Sequence, residues 1–234
     1  MQCVILAGGL GTRMKPVTEK VPKSLLPVLG EPFAHHQLKL LASTGITDVV
    51  FSIGYKGEML RDYVGTGEKW GLRVTYVDEG PNLMGTAGAL RLAFDQGALD
   101  EKFFVLYGDS YLPIDFKPVW ERFEKSSESA LMTVLKNQGR WDVSNADYHD
   151  GLVSYQKKDV PPSWSYIDYG LSVLTAQGVR KGIPPKIKSD LADFFRQLSL
   201  AKELAGFEVT ERFYEIGSPC GLSELENYLS ICYR

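Results

Sequence analysis

The sequence contains only three cysteines and three histidines among its 234 residues. The cysteines, Cys3, Cys220 and Cys232, are odd in number and far apart, which argues against a disulfide framework. No Cys-x-x-Cys pair occurs, and His35 and His36 are adjacent, so they would face different sides of a helix. The sequence therefore offers no zinc-binding pattern.

Long apolar runs and an excess of charge are also lacking. The sequence begins with a strand pattern, without a charged leader or an apolar run long enough to cross a bilayer, so we expect neither a signal peptide nor a membrane span. The formal net charge of −3 argues against general binding to nucleic acid or to a membrane surface. These features predict a cytoplasmic protein whose partners include neither nucleic acid nor membrane.

Residues 1–110 alternate between predicted strands and predicted helices. The apolar runs that predict strands are 3–6, 48–53, 73–77 and 103–107, and the helical patterns between them are 33–43, 57–64 and 86–95. Such alternation predicts a parallel sheet covered by helices on both faces. Ligands of these sheets bind beyond the carboxyl ends of the strands.

Residues 111–234 have a different pattern. After a predicted helix at 116–125, short strands are predicted at 129–135, 141–148, 152–156 and 166–174, which suits a small antiparallel lobe. The chain then continues with a predicted helix at 189–203, short strands at 207–209 and 213–216, and a helix that begins at Pro219 with Ser218 as its N-cap.

A glycine-rich loop, Gly8, Gly9 and Gly11, directly follows the first predicted strand. Glycine has no Cβ, so backbone N–H groups are exposed and a ligand can approach closely. Four cations follow within twelve residues: Arg13, Lys15, Lys20 and Lys23. The combination predicts a polyphosphate site.

Two common phosphate loops are excluded. The Walker pattern requires Lys before Ser or Thr, whereas Arg13 follows Thr12 here. The dinucleotide fingerprint requires a glycine three residues after Gly11, and that position is Met14.

Two carboxylates are predicted at strand ends. Asp109 follows an apolar strand and a turn at Gly108, at the edge where the glycine loop also lies. Glu215 lies in a short strand, with Gly217 and a helix after it. Mg²⁺ prefers one or two carboxylates together with phosphate oxygens and water, so the pair is a candidate metal site. Alternatively, Asp109 belongs to a simple turn and Glu215 is an exposed edge residue.

A third small-residue turn, at Gly85, Thr86 and Gly88, leads into a helix. The glycines allow close approach of a flat ring, and the helix N-terminus offers N–H groups. The alternative is tight packing of an alanine-rich helix, and the two interpretations are compatible.

With these elements placed, the chain resembles the sugar-1-phosphate nucleotidylyltransferases, or nucleotide-sugar pyrophosphorylases. The resemblance continues through 85–88 (GTAG), 108–110 (GDS) and 215–219 (EIGSP). The opening residues that match the family signature are Gly8, Gly9, Gly11, Thr12, Arg13, Met14, Pro16, Thr18, Pro22, Lys23 and Pro27.

The resemblance implies a Rossmann-like three-layer α/β/α nucleotidyltransferase fold, similar to glycosyltransferase A, with a mostly parallel mixed central sheet and a small antiparallel substrate lobe. One catalytic domain would span 1–234, with 1–110 as its nucleotide-binding half and 111–234 as its sugar-binding half. No C-terminal β-helix domain is expected, since hexapeptide repeats are absent.

The resemblance also implies the residues of the site. The catalytic residues would be Arg13 and Lys23, and the Mg²⁺ ligands would be Asp109 and Glu215. The nucleotide would contact Leu6, Ala7, Gly8, Gly9, Gly11, Thr12, Arg13, Lys23, Gly85, Thr86 and Gly88. The sugar phosphate would contact Tyr107, Gly108, Lys158, Asp168, Tyr169 and Gly170.

Three departures from the family pattern affect these roles. Glu215 stands where relatives usually carry Asp, Lys157 stands where many carry Glu, and Asp168 stands where Asn is usual. The sugar is therefore expected to differ from glucose. Residues 83–90 (LMGTAGAL) are most similar to the mannose- and heptose-1-phosphate guanylyltransferase branch, which favours GTP, although uridylyltransferases have similar loops.

The expected partners are a nucleoside triphosphate and a sugar 1-phosphate, and a homo-oligomer is left open. The sugar phosphate oxygen would attack the α-phosphorus, and it needs no general base because a phosphate monoester is already ionised near neutral pH. Alternatives are uridylyl or cytidylyl transfer to another sugar phosphate or to a non-sugar phosphate, a molybdenum-cofactor guanylyltransferase, and a nucleotide-sugar sensor with little turnover. A glycosyltransferase is disfavoured because Asp109 is not part of an Asp-x-Asp motif.

Overall fold

The computed structural model describes residues 1–14 and 17–232, without the side chains of Arg13 and Val17. The α-helices in these residues are α1 (Phe33–Ser43), α2 (Gly57–Val64), α3 (Gly85–Asp95), α4 (Phe116–Glu124), α5 (Ala176–Gly182), α6 (Leu191–Leu200) and α7 (Pro219–Cys232). The strands are β1 (Gln2–Leu6), β2 (Pro27–Val28), β3 (Glu31–Pro32), β4 (Asp48–Ile53), β5 (Arg73–Asp78), β6 (Lys102–Tyr107), β7 (Ser110–Tyr111), β8 (Ala130–Lys136), β9 (Ala146–His149), β10 (Leu152–Tyr155), β11 (Tyr166–Thr175), β12 (Leu204–Val209) and β13 (Tyr214–Glu215).

The chain divides into two compact units, and the first comprises Met1–Leu83, Leu106–Pro113 and Phe213–Arg234. Its strands β5, β4 and β1 pair in parallel, in that order. The short ribbons β2–β3 and β7–β13 are antiparallel. Apolar side chains of β1 and α1 are fully buried, including Ile5 and Phe33, so these elements form because they supply the core of this unit.

The second unit comprises Met84–Val105 and Ile114–Arg212. Its sheet has the order β11-β8-β12-β10-β9. The pair β8–β12 is parallel, whereas the pairs β11–β8, β12–β10 and β10–β9 are antiparallel. The predicted combination of parallel α/β units with a mixed and antiparallel lobe is therefore present in the fold.

The bounds of α1, α2 and β4 agree with the sequence prediction, whereas the strand predicted at 141–148 begins only at Ala146. Asn137 causes this difference, because its carboxamide organises a loop. Nδ2 donates to Asp142 O (2.5 Å) and Ser144 Oγ (3.1 Å), and Oδ1 accepts from Trp141 N (3.1 Å). These side-chain bonds compete with the strand ladder.

The helix predicted at 189–203 is shorter, since α6 begins at Leu191 and ends at Leu200. Asp190 is its N-cap and accepts a hydrogen bond from Ala192 N at 3.0 Å. The helix α5 had no counterpart in the sequence prediction; Thr175 caps it by accepting from Gly178 N at 2.9 Å. Among the described residues, no helix is long and apolar enough to cross a membrane.

Candidate active site

The glycine loop begins where β1 ends, in the first unit. Gly8 lies against Glu79, which directly follows β5: a methyl group on Gly8 would lie 2.3 Å from Glu79 Oε1. Ser52, in the neighbouring strand β4, donates from Oγ to the same oxygen at 3.3 Å. A side chain at position 8 would displace the Glu79 carboxylate, so glycine allows this carboxylate to lie against the loop backbone.

The second half of the loop is held by Gly11, whose φ of +61° is unusual for a residue with a side chain. Its carbonyl accepts from Met14 N at 3.0 Å and from Thr18 Oγ1 at 2.9 Å. Thr18 is buried, so the hydroxyl fixes the curvature of the loop. The Arg13 side chain, Lys15 and Pro16 lie outside the described residues, and the role predicted for Arg13 stays a prediction.

Gly108 brings the end of β6 against the end of β1. Its N–H donates to Leu6 O at 2.9 Å, and a methyl group on it would lie 2.8 Å from that oxygen. The buried Gln37 of α1 braces the same turn, because Nε2 donates to Tyr107 O (3.1 Å) and Ser110 O (2.8 Å). The turn that carries Asp109 is thus held from two sides.

Lys23 and Asp109, which were assigned separate roles, form an ion pair between Nζ and Oδ2. Their side chains are 15% and 29% exposed, respectively. The contact brings a phosphate-binding candidate and a metal-binding candidate to one place in the first unit.

Glu215 lies next to Asp109 through the backbone, since Ile216 N donates to Asp109 O at 3.0 Å. Its carboxylate already accepts from Ser218 Oγ at 2.7 Å and from Gly217 N. Within residues 1–14 and 17–232, no group of three or more metal-binding side chains occurs. Two carboxylates suffice for Mg²⁺ when phosphate oxygens and water complete its shell, so the residue types fit the ion, and Asp109 and Glu215 stay candidate ligands.

In the second unit, the first turn of α3 is hydrogen-bonded to the segment that directly precedes α6. Ala87 N and Gly88 N donate to Ser189 O at 3.1 and 3.3 Å. A methyl group on Gly85 would lie 2.5 Å from that same oxygen. Packing therefore accounts for the glycines of this turn, and two of the N–H groups that the sequence offered to a ligand are taken.

The Thr86 hydroxyl is similarly engaged. It donates to Asp190 Oδ1 at 3.1 Å and accepts from Leu191 N at 2.8 Å. Lys157 Nζ donates to the other carboxylate oxygen of Asp190 at 3.0 Å. Partial burial acts to raise the pKa of Asp190, but the hydrogen bonds from Ala192 N, Lys157 and Thr86 outweigh it, so the pKa lies below its ordinary value.

The predicted sugar residues Asp168, Tyr169 and Gly170 lie on β11, and Lys158 is exposed after β10. Burial raises the pKa of Asp168 to about 6, although its carboxylate accepts from Gly170 N at 2.9 Å. The structure brings Lys157, rather than Lys158, to the turn at Thr86.

Four polar residues of these clusters were missed in the sequence: Gln37, Glu79, Asp190 and Asn145, whose Oδ1 accepts from Asp168 N at 2.8 Å. Glu79 could have been suspected, because it follows a predicted strand at the edge where the glycine loop lies. The other three give no local signal. Gln37 lies inside an amphipathic helix, Asn145 lies inside a predicted strand, and Asp190 lies inside a predicted helix.

A family model described as Nucleotidyl transferase matches residues 2–142, which is more than half of the chain. The chain belongs to the nucleotidyl transferase family. The match includes the glycine loop, the turn at Gly85 and the Asp109 turn, so the predicted enzyme class, a nucleotidyltransferase, is confirmed.

Two named relatives are similar to this chain over more than nine-tenths of its length. D-glycero-alpha-D-manno-heptose 1-phosphate guanylyltransferase of Aneurinibacillus thermoaerophilus is 34% identical, with 98% of this chain and 100% of the relative covered. Mannose-1-phosphate guanyltransferase 2 of Candida glabrata is 31% identical over 94% of this chain and 62% of the relative. The predicted resemblance to this enzyme family is confirmed.

The crystal structure of HddC from Yersinia pseudotuberculosis superposes with a TM-score of 0.81 at 25% identity, covering 97% of this chain and 99% of HddC. A second HddC structure, complexed with GMP-PN, has a TM-score of 0.79 at 25% identity, with the same shares of the two chains covered. The predicted nucleotidyltransferase fold class is confirmed.

Proposed function

We propose that the enzyme joins GTP and a sugar 1-phosphate of the heptose or mannose type, releasing pyrophosphate and forming a GDP-sugar. Both named relatives are guanylyltransferases that act on such sugars, and HddC has been crystallised with a guanine nucleotide. The observation in this chain that carries the choice of guanine is the position of Glu79.

Glu79 presents an acceptor-only carboxylate beside Gly8, the first glycine of the loop. Guanine carries two neighbouring donors, N1–H and the N2 amino group. A carboxylate can accept from both, because each of its oxygens has two lone pairs, including the oxygen that also accepts from Ser52. Adenine and cytosine place an acceptor at the ring nitrogen of that edge, and uracil and thymine have a single donor between two carbonyl groups. Glu79 therefore favours guanine over the other bases by hydrogen-bond complementarity.

A cavity of about 500 Å³ adjoins this position in the first unit. Its lining includes Leu10, Gly54 and Leu83, and a methyl group on Gly54 would lie 3.1 Å from Gly8 O. The lining also carries the polar side chains of Lys56, Glu58 and Asp78, and Glu79 directly follows Asp78 in the chain. A cavity of this size with apolar walls and a few polar groups suits a purine ring. We assign it to the base.

The chemistry requires alignment and charge neutralisation. A sugar phosphate oxygen attacks the α-phosphorus of GTP in line with the departing pyrophosphate, and the phosphate monoester needs no general base. Lys23 would neutralise the α-phosphate, with Asp109 orienting its ammonium group. Arg13 would neutralise the leaving pyrophosphate.

Mg²⁺ would be held by Asp109, with Glu215 as the second carboxylate. When bound, it would supply positive charge to the triphosphate. The hydrogen bonds that Glu215 receives from Gly217 and Ser218 hold its carboxylate in a fixed orientation. Asp109 is also the residue whose turn is braced by Gln37 and Gly108, and such bracing suits a metal ligand.

The sugar would lie in the second unit against Asp168, with Tyr169, Gly170 and Lys158 as further contacts. The carboxyl group of Asp168 has a different hydrogen-bonding capacity from the amide that is usual at this place in the family, which supports a sugar other than glucose. Because GTP and sugar phosphates are cytoplasmic metabolites, we also propose that the enzyme acts in the cytoplasm.

The test is a pyrophosphate-release assay that crosses GTP, ATP, CTP, UTP and dTTP with mannose, heptose, glucose and N-acetylglucosamine 1-phosphates, with and without Mg²⁺. We expect turnover with GTP and either mannose or heptose 1-phosphate, and none without the metal. Turnover with UTP or CTP in place of GTP would contradict the guanine assignment. Nucleotide binding without turnover on any pair would identify a sensor.

A further inference from the structure

Asn145 occupies a fixed position in the second unit, immediately before β9. Its N–H donates to Tyr166 O at 3.0 Å, and its carbonyl accepts from Gln156 N at 3.0 Å. Next to it, Ala146 pairs with Tyr166 of β11 and with Tyr155 of β10. The backbone of Asn145 is therefore held by two neighbouring strands, which fixes the point from which its side chain projects.

The side chain of Asn145 is oriented by Asp168. Oδ1 accepts from the backbone N–H of Asp168 at 2.8 Å. A backbone N–H can only donate, so the facing atom must be the carbonyl oxygen, and Nδ2 is directed away from it. No described residue accepts a hydrogen bond from Nδ2, so its two donors are available to a ligand.

Asp168 supplies the complementary acceptor. Oδ1 accepts from Gly170 N at 2.9 Å, and Oδ2 has no hydrogen-bond partner among the described residues. An available amide donor and an available carboxyl oxygen thus belong to two residues that are joined by one hydrogen bond. Both residues are partly exposed, so water can reach these two atoms, and a bound polyol can replace that water with a hydrogen-bond partner for each.

Tyr155 adds a third polar group to this cluster. The residue is 5% exposed, and its hydroxyl has no hydrogen-bond partner among the described residues. Burial raises the pKa of the phenol, and the carboxylates of Asp168, Asp190 and Asp193 raise it further. Tyr155 therefore stays protonated near neutral pH and close to Asp168.

We propose that Asn145 is a specificity-determining residue that, together with Asp168, binds two adjacent hydroxyl groups of the sugar. Asn145 Nδ2 donates to the oxygen of one hydroxyl, and Asp168 accepts from the neighbouring hydroxyl. The inference rests on the proposed function, since it requires that a sugar phosphate binds to the second unit. The competing explanation is that Asn145 only braces the turn before β9.

Two variants of Asn145 separate these explanations. Asn145→Asp keeps an oxygen for the Asp168 N–H but removes the Nδ2 donor, whereas Asn145→Ala removes both. Asn227→Ala is the control, because Asn227 is exposed on α7 in the first unit and its side chain makes no hydrogen bond to described residues. For each protein, kcat/KM is measured with GTP and either mannose 1-phosphate or its 2-deoxy, 3-deoxy and 4-deoxy analogues.

For the wild-type enzyme, we expect kcat/KM with at least one deoxy analogue to be about 10-fold or more below that with mannose 1-phosphate. In Asn145→Asp, most of this difference between the two sugars should disappear. The KM for GTP should remain within about twofold, since the nucleotide contacts are unchanged. A uniform loss of kcat/KM across all four sugars, or an unchanged ratio, would overturn the proposal in favour of a bracing role.

Binding of the reaction product gives a readout that does not need turnover. Calorimetric affinities are measured for GDP-mannose and for GDP with wild-type protein and with Asn145→Asp. If no pair of substrates reacts, the proposed function fails on that result alone. The role of Asn145 is then decided by whether GDP-mannose binds more tightly than GDP to the wild type and loses this advantage in the variant. Equal affinities in the wild type would refute it.

Discussion

Lys23 and Asp109 form an ion pair in the first unit, although they lie 86 positions apart in the sequence. The signature loop supplies the cation, and the turn after β6 supplies the carboxylate. Each group therefore orients the other. A metal ion bound to Asp109 would change the electrostatic field at the Lys23 ammonium group, and so its interaction with a phosphate.

The first prediction concerns this cation. Lys23→Met should lower kcat/KM about 100-fold or more, because a preorganised charge next to the reacting phosphate is lost. The free energy of unfolding should fall by only about 1 kcal/mol, since the ion pair is partly exposed. Pyrophosphate release and urea denaturation measure the two effects. Lys125→Met, at an exposed position after α4, is the control, and equal activity of the two variants would refute the role of Lys23.

The second prediction concerns base selection. Glu79→Gln replaces an acceptor-only group by an amide that can also donate, so it can satisfy uracil or thymine. We expect kcat/KM for GTP to fall about 10- to 100-fold and the ratio of UTP to GTP to rise. The measurement is the nucleotide panel at a single sugar phosphate concentration. Equal losses with every nucleotide would mean that Glu79 only supports the loop.

The third prediction concerns the Asp109 turn. Gln37→Leu leaves the carbonyl groups of Tyr107 and Ser110 without their donor, and we expect a loss of about 2 kcal/mol in the free energy of unfolding. Gln37→Glu should be worse, because a carboxylate would face two carbonyl oxygens. Gln197→Leu, on the exposed face of α6, should change the unfolding free energy by less than about 0.5 kcal/mol. Similar urea midpoints for the variants at 37 and 197 would contradict the bracing role.

Local sequence patterns were sufficient to predict much of the fold. The helices α1 and α2 and the strand β4 have the predicted bounds, because their apolar periodicity coincides with burial in one core. The position of Asp109 was also predictable, since a carboxylate that follows a buried parallel strand must lie at the sheet edge.

Contacts between distant segments were not predictable. The place of Glu79 after a predicted strand indicates the correct sheet edge, but not that its carboxylate packs against Gly8. Nothing near Thr86 indicates that its hydroxyl is shared by Asp190 and Leu191. The glycines of 85–88 were attributed to a ligand as readily as to packing, because either cause requires the absence of a Cβ. The packing becomes evident from the positions of Ser189, against Gly85, and of Ile187, against Gly88.

The fourth prediction concerns pH. The pKa of Asp168 is about 6 in the folded protein, above its ordinary value of 3.8, so the folded state holds this proton more tightly than the unfolded state. Its contribution to the unfolding free energy is therefore largest below pH 3.8 and is lost as pH rises through 6. Asp168→Asn cannot titrate and therefore keeps its unfolding free energy where the wild type loses some. As pH rises from 4 to 7, the difference between the two proteins should change by about 2 kcal/mol in favour of the variant, a value reduced for the partial exposure of Asp168. Parallel pH profiles of the two proteins by urea denaturation would refute the shift.

The fifth prediction separates a glycine required by packing from one that serves a ligand. Gly85 has φ +74°, and a methyl group on it would lie 2.5 Å from Ser189 O, whereas one on Gly9 would meet no described atom within 4 Å. Gly85→Ala should therefore lower the free energy of unfolding by about 2 kcal/mol or more.

Gly9→Ala should leave the free energy of unfolding unchanged or raise it by up to about 1 kcal/mol, because Gly9 has no positive φ and alanine restricts the unfolded chain. If the loop backbone contacts the triphosphate, the added methyl group should nevertheless raise the KM for GTP about 10-fold or more by blocking close approach. Thermal or urea denaturation and nucleotide titration are measured on both variants. A stable Gly9→Ala protein with a wild-type KM would remove Gly9 from the nucleotide site, because neither packing nor the ligand would then explain the glycine.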